Sequence, residues 1–154
     1  MNREAKKAAE RLARQQAEQQ LQRANKALSR AAVRGAREAR QRTADVGAVD
    51  THEFEQGWKV EQRASGDRAI VNTAPHAPWV DDGRPAGSPP PVRDLVRWVE
   101  RRFRVGGPKA WAIARSIANK IAQRGTKGAK VLEWVARRLE TVIIPQEIEK
   151  ELDR

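Results

Sequence analysis

Ile70-Val71-Asn72-Thr73-Ala74-Pro75-His76-Ala77-Pro78-Trp79-Val80-Asp81-Asp82-Gly83 is the stretch on which the fold of this chain turns. Its first residues are β-branched and read as the end of a strand. The two prolines and the Asp-Asp-Gly that follow read as an acidic turn. Upstream, Trp58, Val60 and Gln62 alternate with Lys59, Glu61 and Arg63, the period of two that marks a strand. Ser65-Gly66-Asp67 is a turn, and residues 68–73 form the partner strand. A hairpin of this size is unstable by itself and must pack on helices or join a larger sheet.

Downstream, residues 84–91 contain four prolines and form a loop. Pro91 suits the first turn of a helix. In that helix Val92, Leu95, Val96, Val99 and Phe103 share one face, with Arg93, Arg97, Arg101 and Arg104 opposite. Gly106-Gly107-Pro108 ends it. A second helix is expected over residues 109–124, with Ile113, Ile117 and Ile121 at i, i+4 and i+8 and Ala110, Ala114 and Ala118 beside them, stopped by Gly125. A third begins at Thr126 or Gly128 and buries Val131, Leu132, Val135 and Leu139. Residues 141–144 are β-branched and read as a strand or an extended exit. Residues 145–152 read as a final helical turn or two.

Residues 2–42 contain no proline and a single glycine, Gly35, among strong helix formers. Ala5, Ala9, Ala13, Ala17, Leu21, Ala24, Leu28 and Ala31 lie at spacings of 3 or 4, one thin helical face. So little apolar surface leaves a long helix marginal in water unless something packs on it. The fold class that emerges is α+β. A long N-terminal helix (residues 1–44, an arm) precedes a compact domain (residues 45–154) in which a small antiparallel sheet packs against two or three helices.

The chain has 154 residues, 39% hydrophobic and 33% charged. Much of the apolar count is alanine, so the core is expected to rest on tryptophan, leucine, isoleucine and valine. Cysteine is absent, which excludes disulfides and thiolate metal sites. No apolar run approaches the roughly 20 residues that span a bilayer. The polar start is unlike a secretory signal, so an intracellular protein without a membrane is expected. Net charge is +11. Residues 1–42 hold 12 Lys or Arg against 4 Glu, while residues 43–154 hold 19 basic against 16 acidic groups. This count assigns the basic character to the arm, either as a solvated face or as an attractor of polyanions.

The residues for catalysis do not assemble in the sequence. His52 and His76 have no metal-ligand spacing with each other or with any Cys. There is no Walker loop, Gly-x-Ser-x-Gly elbow or Rossmann fingerprint. Asp81-Asp82-Gly83 reads plainly as an exposed turn, or alternatively as an acidic contact to a neighbour. The tryptophans read as core or core rim, or as anchors between subunits. No enzyme, cofactor or metal is expected.

The order of these segments resembles the head–tail joining (neck or tail-completion) proteins of tailed bacteriophages over roughly residues 45–150. In that family an aromatic-Ala, hydrophobic-acidic-Gly turn, here residues 76–83, precedes a Pro…Leu…Trp-Val helix. That helix corresponds to Pro91, Leu95, Trp98 and Val99. An Ile-Ala…Ile…Gly-Thr helix follows, matched by Ile113, Ala114, Ile117, Gly125 and Thr126. His76 stands where the pattern has tyrosine, and Asp82 where glutamate is usual. The resemblance implies a structural virion protein of the neck, made in the host cytoplasm and assembled as a ring of six or twelve copies around the DNA channel. Its partners would be sister copies, the portal or adaptor, and the tail terminator or tail-tube proteins. His76, Trp79, Asp81, Asp82, Trp98 and Trp111 are the subunit-interface candidates. Arg23, Lys26, Arg30, Arg34 and Arg37 are the candidates to face the genome DNA in the channel. The alternative from composition is a free, non-sequence-specific DNA-binding protein acting through the basic arm.

Overall fold

The computed structural model describes residues 3–48 and 50–153. Residues 1 and 2 of the arm, and 49 and 154 of the domain, lie outside the described residues. The elements run α1 (Arg3–Asp45), α2 (Glu53–Gln56), β1 (Trp58–Gln62), β2 (Arg68–Asn72), α3 (Ala77–Asp82), β3 (Gly83–Arg84), α4 (Val92–Phe103), α5 (Gly107–Arg124), β4 (Thr126–Lys127), α6 (Val131–Arg138), a π-helical turn (Leu139–Ile143) and α7 (Ile144–Leu152). The protein is α+β, with a long N-terminal helix and small two-stranded sheets among helices.

The chain forms two compact units. The first comprises Met1–Arg40, Trp58–Val71 and Glu133–Arg154. The arm is therefore not separate from the fold: its C-terminal half shares a unit with the β1–β2 hairpin and the C-terminal helices. Ala27, Ala31, Ala32, Ala36 and Ala39 form its buried face. Of the alanine–leucine stripe read from the sequence, only Ala31 is buried, and Leu21 and Leu28 are exposed. Gly35 is the reason the other elements can approach. A Cβ there would lie 2.7 Å from Ile70 Cδ1 of β2 and 3.0 Å from Leu139 Cδ2. The hairpin itself closes with Arg63 N donating to Asp67 O at 2.8 Å and Gly66 N to Arg63 O at 2.9 Å. Trp58, wholly buried, is its largest core side chain.

Residues 141–144 are helical, not extended. Thr141, Val142 and Ile143 lie in the π turn, and Ile143 is fully buried. The physical reason is Pro145. It lacks an N–H and its ring crowds the carbonyl four residues back. Widening the preceding turn to a π-bulge lets the helix pass through the proline instead of breaking.

The second unit comprises Gln41–Gly57 and Asn72–Leu132. Its core is the α4–α5 pair, where Val96, Val99, Ala110 and Ala114 are buried and Leu95, Trp98, Ile113 and Ile117 pack around them. The expected roles on α5 are exchanged. Ala110, Ala114 and Ala118 are buried and the isoleucines are half-buried. Among the described residues, ten of the seventeen buried apolar side chains are alanines. The helices therefore gain burial by close approach, not by large side chains, because alanine at i, i+4 and i+8 leaves a flat seam.

Residues 77–82, read as a turn, form the short helix α3, with Pro78 in its first turn where the missing N–H costs nothing. Gly83 leaves this helix at φ 82° and pairs with Lys127, while Arg84 pairs with Thr126. A Cβ on Gly83 would collide with the Thr126 carbonyl oxygen, and one on Gly128 with the Asp81 carbonyl oxygen. By contrast Gly66, at φ 85°, has open space around it. Gly83→Ala is expected to lower stability by about 3 kcal/mol, through strain plus backbone collision. Gly66→Ala is expected to cost only about 1 kcal/mol, from strain alone. Urea denaturation of the two variants checks the contrast; equal losses would mean the β3–β4 approach is looser than described.

Candidate interaction site

The acidic turn is divided between two roles. Asp81 is buried, 8% exposed, and its carboxylate reaches the start of α6. Val131 N donates to Asp81 Oδ1 at 2.6 Å, and Leu132 N approaches Oδ2 at 3.2 Å and Oδ1 at 3.3 Å. Backbone bonds from Ala129 N to Val80 O, 2.8 Å, and from Lys130 N to Asp81 O, 3.0 Å, hold the same segments together. Asp81 thus caps a helix 50 residues away in sequence, satisfying N–H groups that no intrahelical partner can reach. A favourable charge at a helix N-terminus adds to this. The expectation of an exposed turn, or of a contact to a neighbouring subunit, is corrected for Asp81. Its carboxylate is consumed within its own chain.

Asp82 points the other way and is exposed, with its carboxylate 3.3 Å from Lys130 Nζ. Trp79 lies one helical turn before it and is 62% exposed. These two form an outward face on α3. His76 and Trp98 are half-buried and meet on a different surface. They line an open groove of about 640 Å³ with Glu53, Val80, Asp94 and Arg97. His76 Nδ1 lies 3.7 Å from Glu53 Oε2. Asp50, on the rim, is already engaged by the Arg101 guanidinium. Trp98 stacks edge-on against Phe103, with ring centroids 5.7 Å apart. Trp111 stands 44% exposed near the start of α5. The six interface candidates therefore occupy three surfaces and one buried cap, not a single patch. The mixed-charge groove suits reception of a side chain or peptide segment. Among the described residues no group of His, Asp or Glu could hold a metal ion, and no helix is long and apolar enough to cross a membrane.

The five channel candidates also divide. Arg30 Nε lies 3.0 Å from Glu147 Oε2 and its Nη1 lies 2.6 Å from Glu151 Oε1. Arg34 bonds Glu38 at 3.0 Å and Gln146 at 2.8 Å, and approaches Glu147 at 3.5 Å. These two arginines fasten α7 to α1 and are not free to meet phosphates, which corrects their assignment to a channel. Arg23, Lys26 and Arg37 remain exposed. Lys150 and then Arg30 hold the Glu147 carboxyl down at about 2, well below the ordinary carboxylate range.

The assignment of basic character to the arm alone is also corrected. Within residues 92–124, the α4–α5 hairpin, there are nine Lys or Arg and two acids. Averaging over residues 43–154 concealed this, because acids elsewhere offset it. Glu147 and Glu151 were likewise missed as partners of the arm. Their i, i+4 spacing opposite an arginine-rich helix was the available signal. No family profile, curated protein or solved structure matches the chain.

Asp81→Ala is expected to destabilise the protein by about 2 kcal/mol, and Asp82→Ala by less than about 0.5 kcal/mol; thermal melts of both variants compare them. Because the folded-state value of Glu147 lies below its ordinary 4.5, its ion pairs contribute stability above that pH. The contribution fades as pH falls from about 4.5 toward about 2. Glu147→Gln is expected to flatten the stability–pH curve in that window and leave its shape unchanged above it, as read by urea midpoints across the acid range.

Proposed function

We propose that this chain is a structural subunit of a tailed-phage neck, one copy in a ring that joins head to tail around the DNA channel. The carrying observation is the first part of α1. Residues 3–26 are exposed without exception, about 36 Å of helix at 1.5 Å per residue. Leu12 and Leu21 stand 56% and 63% exposed on it. A helix with this composition gains too little from propensity alone to persist in water. Cover from a sister copy would supply the missing burial, and a head-to-tail contact repeated by rotation closes a ring.

The resemblance in segment order supports the same reading, and its two most distinctive segments meet within the fold. The Asp-Asp-Gly turn and the Gly-Thr segment lie side by side through β3 and β4. In such a ring Trp79, Asp82 and Trp111 remain available to neighbours. Arg23, Lys26 and Arg37 remain available to the genome, while portal or adaptor and tail proteins would meet the two ends.

The sedimentation behaviour of the full chain tests the self-association, and removal of the gene from its phage tests the role. Full-length protein is expected to form six- or twelve-copy species, alone or on its head-side partner. Leu12→Glu with Leu21→Glu is expected to reduce it to monomer with the thermal melt of the two compact units unchanged. Deletion is expected to leave filled heads and separate tails. Complete infectious particles in its absence would overturn the proposal.

A further inference from the structure

We infer that the outward face of α5 binds the phosphate backbone of duplex DNA without reading base sequence. The helix Gly107–Arg124 contains no aspartate or glutamate in its 18 residues. Helical periodicity places Ser116, Asn119 and Gln123 in a row down its exposed side, with Lys120 and Arg124 along one edge and Arg115 along the other. All six are exposed, and among the described residues none of the three cations forms an ion pair. Every exposed polar side chain in this stripe can donate a hydrogen bond, and none carries negative charge.

That combination matches the groups that contact phosphate oxygens: Arg and Lys for charge, and Ser, Asn and Gln for neutral donation. The other basic surfaces differ. The exposed side of α4 intersperses Asp94 and Glu100 with its arginines, and Arg101 is held by Asp50. The exposed arm carries Glu4, Glu10 and Glu18 among its cations.

The occupant is a duplex, and the same face argues against the competitors. Single strands are gripped by bases stacking on aromatic rings. The exposed ring of α5, Trp111, stands at the edge of the stripe, one turn before Arg115. A membrane-surface helix buries large apolar residues in the lipid, whereas the isoleucines and buried alanines of α5 face inward on their own unit. A duplex presents about one negative charge per 1.7 Å of axis, dense enough to reward a carboxylate-free face by counterion release. This inference stands apart from the ring: it needs only one folded copy, and a subunit that never assembles would still bind.

The test is fluorescence anisotropy of the full chain on a labelled duplex of about 20 base pairs, titrated between about 50 and 200 mM salt. The combined variant R115Q/K120Q/R124Q is expected to bind at least about tenfold more weakly at about 100 mM salt. Its log–log salt slope should fall by about 2 to 3. An arm variant of equal charge change that spares the channel candidates, K7Q/R11Q/R14Q, is expected to lose less than about threefold. Circular dichroism and urea midpoints matching the parent would exclude misfolding as the cause; all six sites are exposed and glutamine is a good helix former. Three results would each overturn the inference: unchanged binding by the α5 variant, equal loss by both variants, or tighter binding by the parent to single strands or anionic vesicles than to the duplex.

Discussion

The constraint on which much of this structure depends is a contact of backbone against backbone. Residues 80–84 lie directly along residues 126–131, through the carbonyls of Val80 and Asp81, the β3–β4 pairing and the carboxylate of Asp81. Side chains at Gly83 or Gly128 would force these segments apart. Once they separate, the first N–H groups of α6 lose the Asp81 carboxylate, and buried donors without partners are expensive. The contact therefore fixes both the exit of α3 and the point where α6 begins. It is a small interaction in area, but it joins regions distant in sequence, and its geometry leaves no room for drift.

A second economy is the use of alanine. Alanine buries little area per residue, yet close helix approach allows many small contacts in place of a few large ones. This accounts for a modest core in a chain with few large apolar residues. Ion pairs reinforce the seam between α1 and α7. Arg30 and Arg34 meet Glu147 and Glu151 there. Arginine's forked guanidinium can satisfy several acceptors at once, so these groups serve attachment. Among the described residues, the arm before Ala27 is exposed throughout, and this division is the structural basis for looking outward from residues 3–26.

Local periodicity was legible in the sequence. The alternation around Val60, the turn at residues 65–67 and the apolar face of α4 each depend on neighbours within a few residues, and each element lies where its pattern places it. What escaped reading depended on distant partners. Asp81 looks like any turn carboxylate until α6 arrives 50 residues later. The β-branched run at residues 141–144 favours a strand by propensity, but tertiary burial of Ile143 and the π turn before Pro145 override it. The alanine stripe of α1 follows the correct period, but its register drifts, and burial settles on Ala27, Ala36 and Ala39 instead of Leu21 and Leu28. A thin stripe of small residues specifies a helix without specifying which side of it will be covered. The surface sites were least legible, because charge averaged over a domain hides a helix from which acids are missing.

The most distinctive residues that carry the resemblance lie in one place in the fold. Asp81, Gly83, Gly125 and Thr126 all belong to the backbone contact or stand beside it. A pattern of this kind is explained by the fold it closes and need not mark a surface that touches another molecule. Interaction must then be sought on faces the fold does not consume: Trp79 and Asp82 on α3, the exposed stretch of α1, and the carboxylate-free side of α5. These faces differ in chemistry. The first offers an aromatic anchor beside a charge, the second a thin apolar stripe among mixed charges, and the third donors alone. One kind of partner would not satisfy all three.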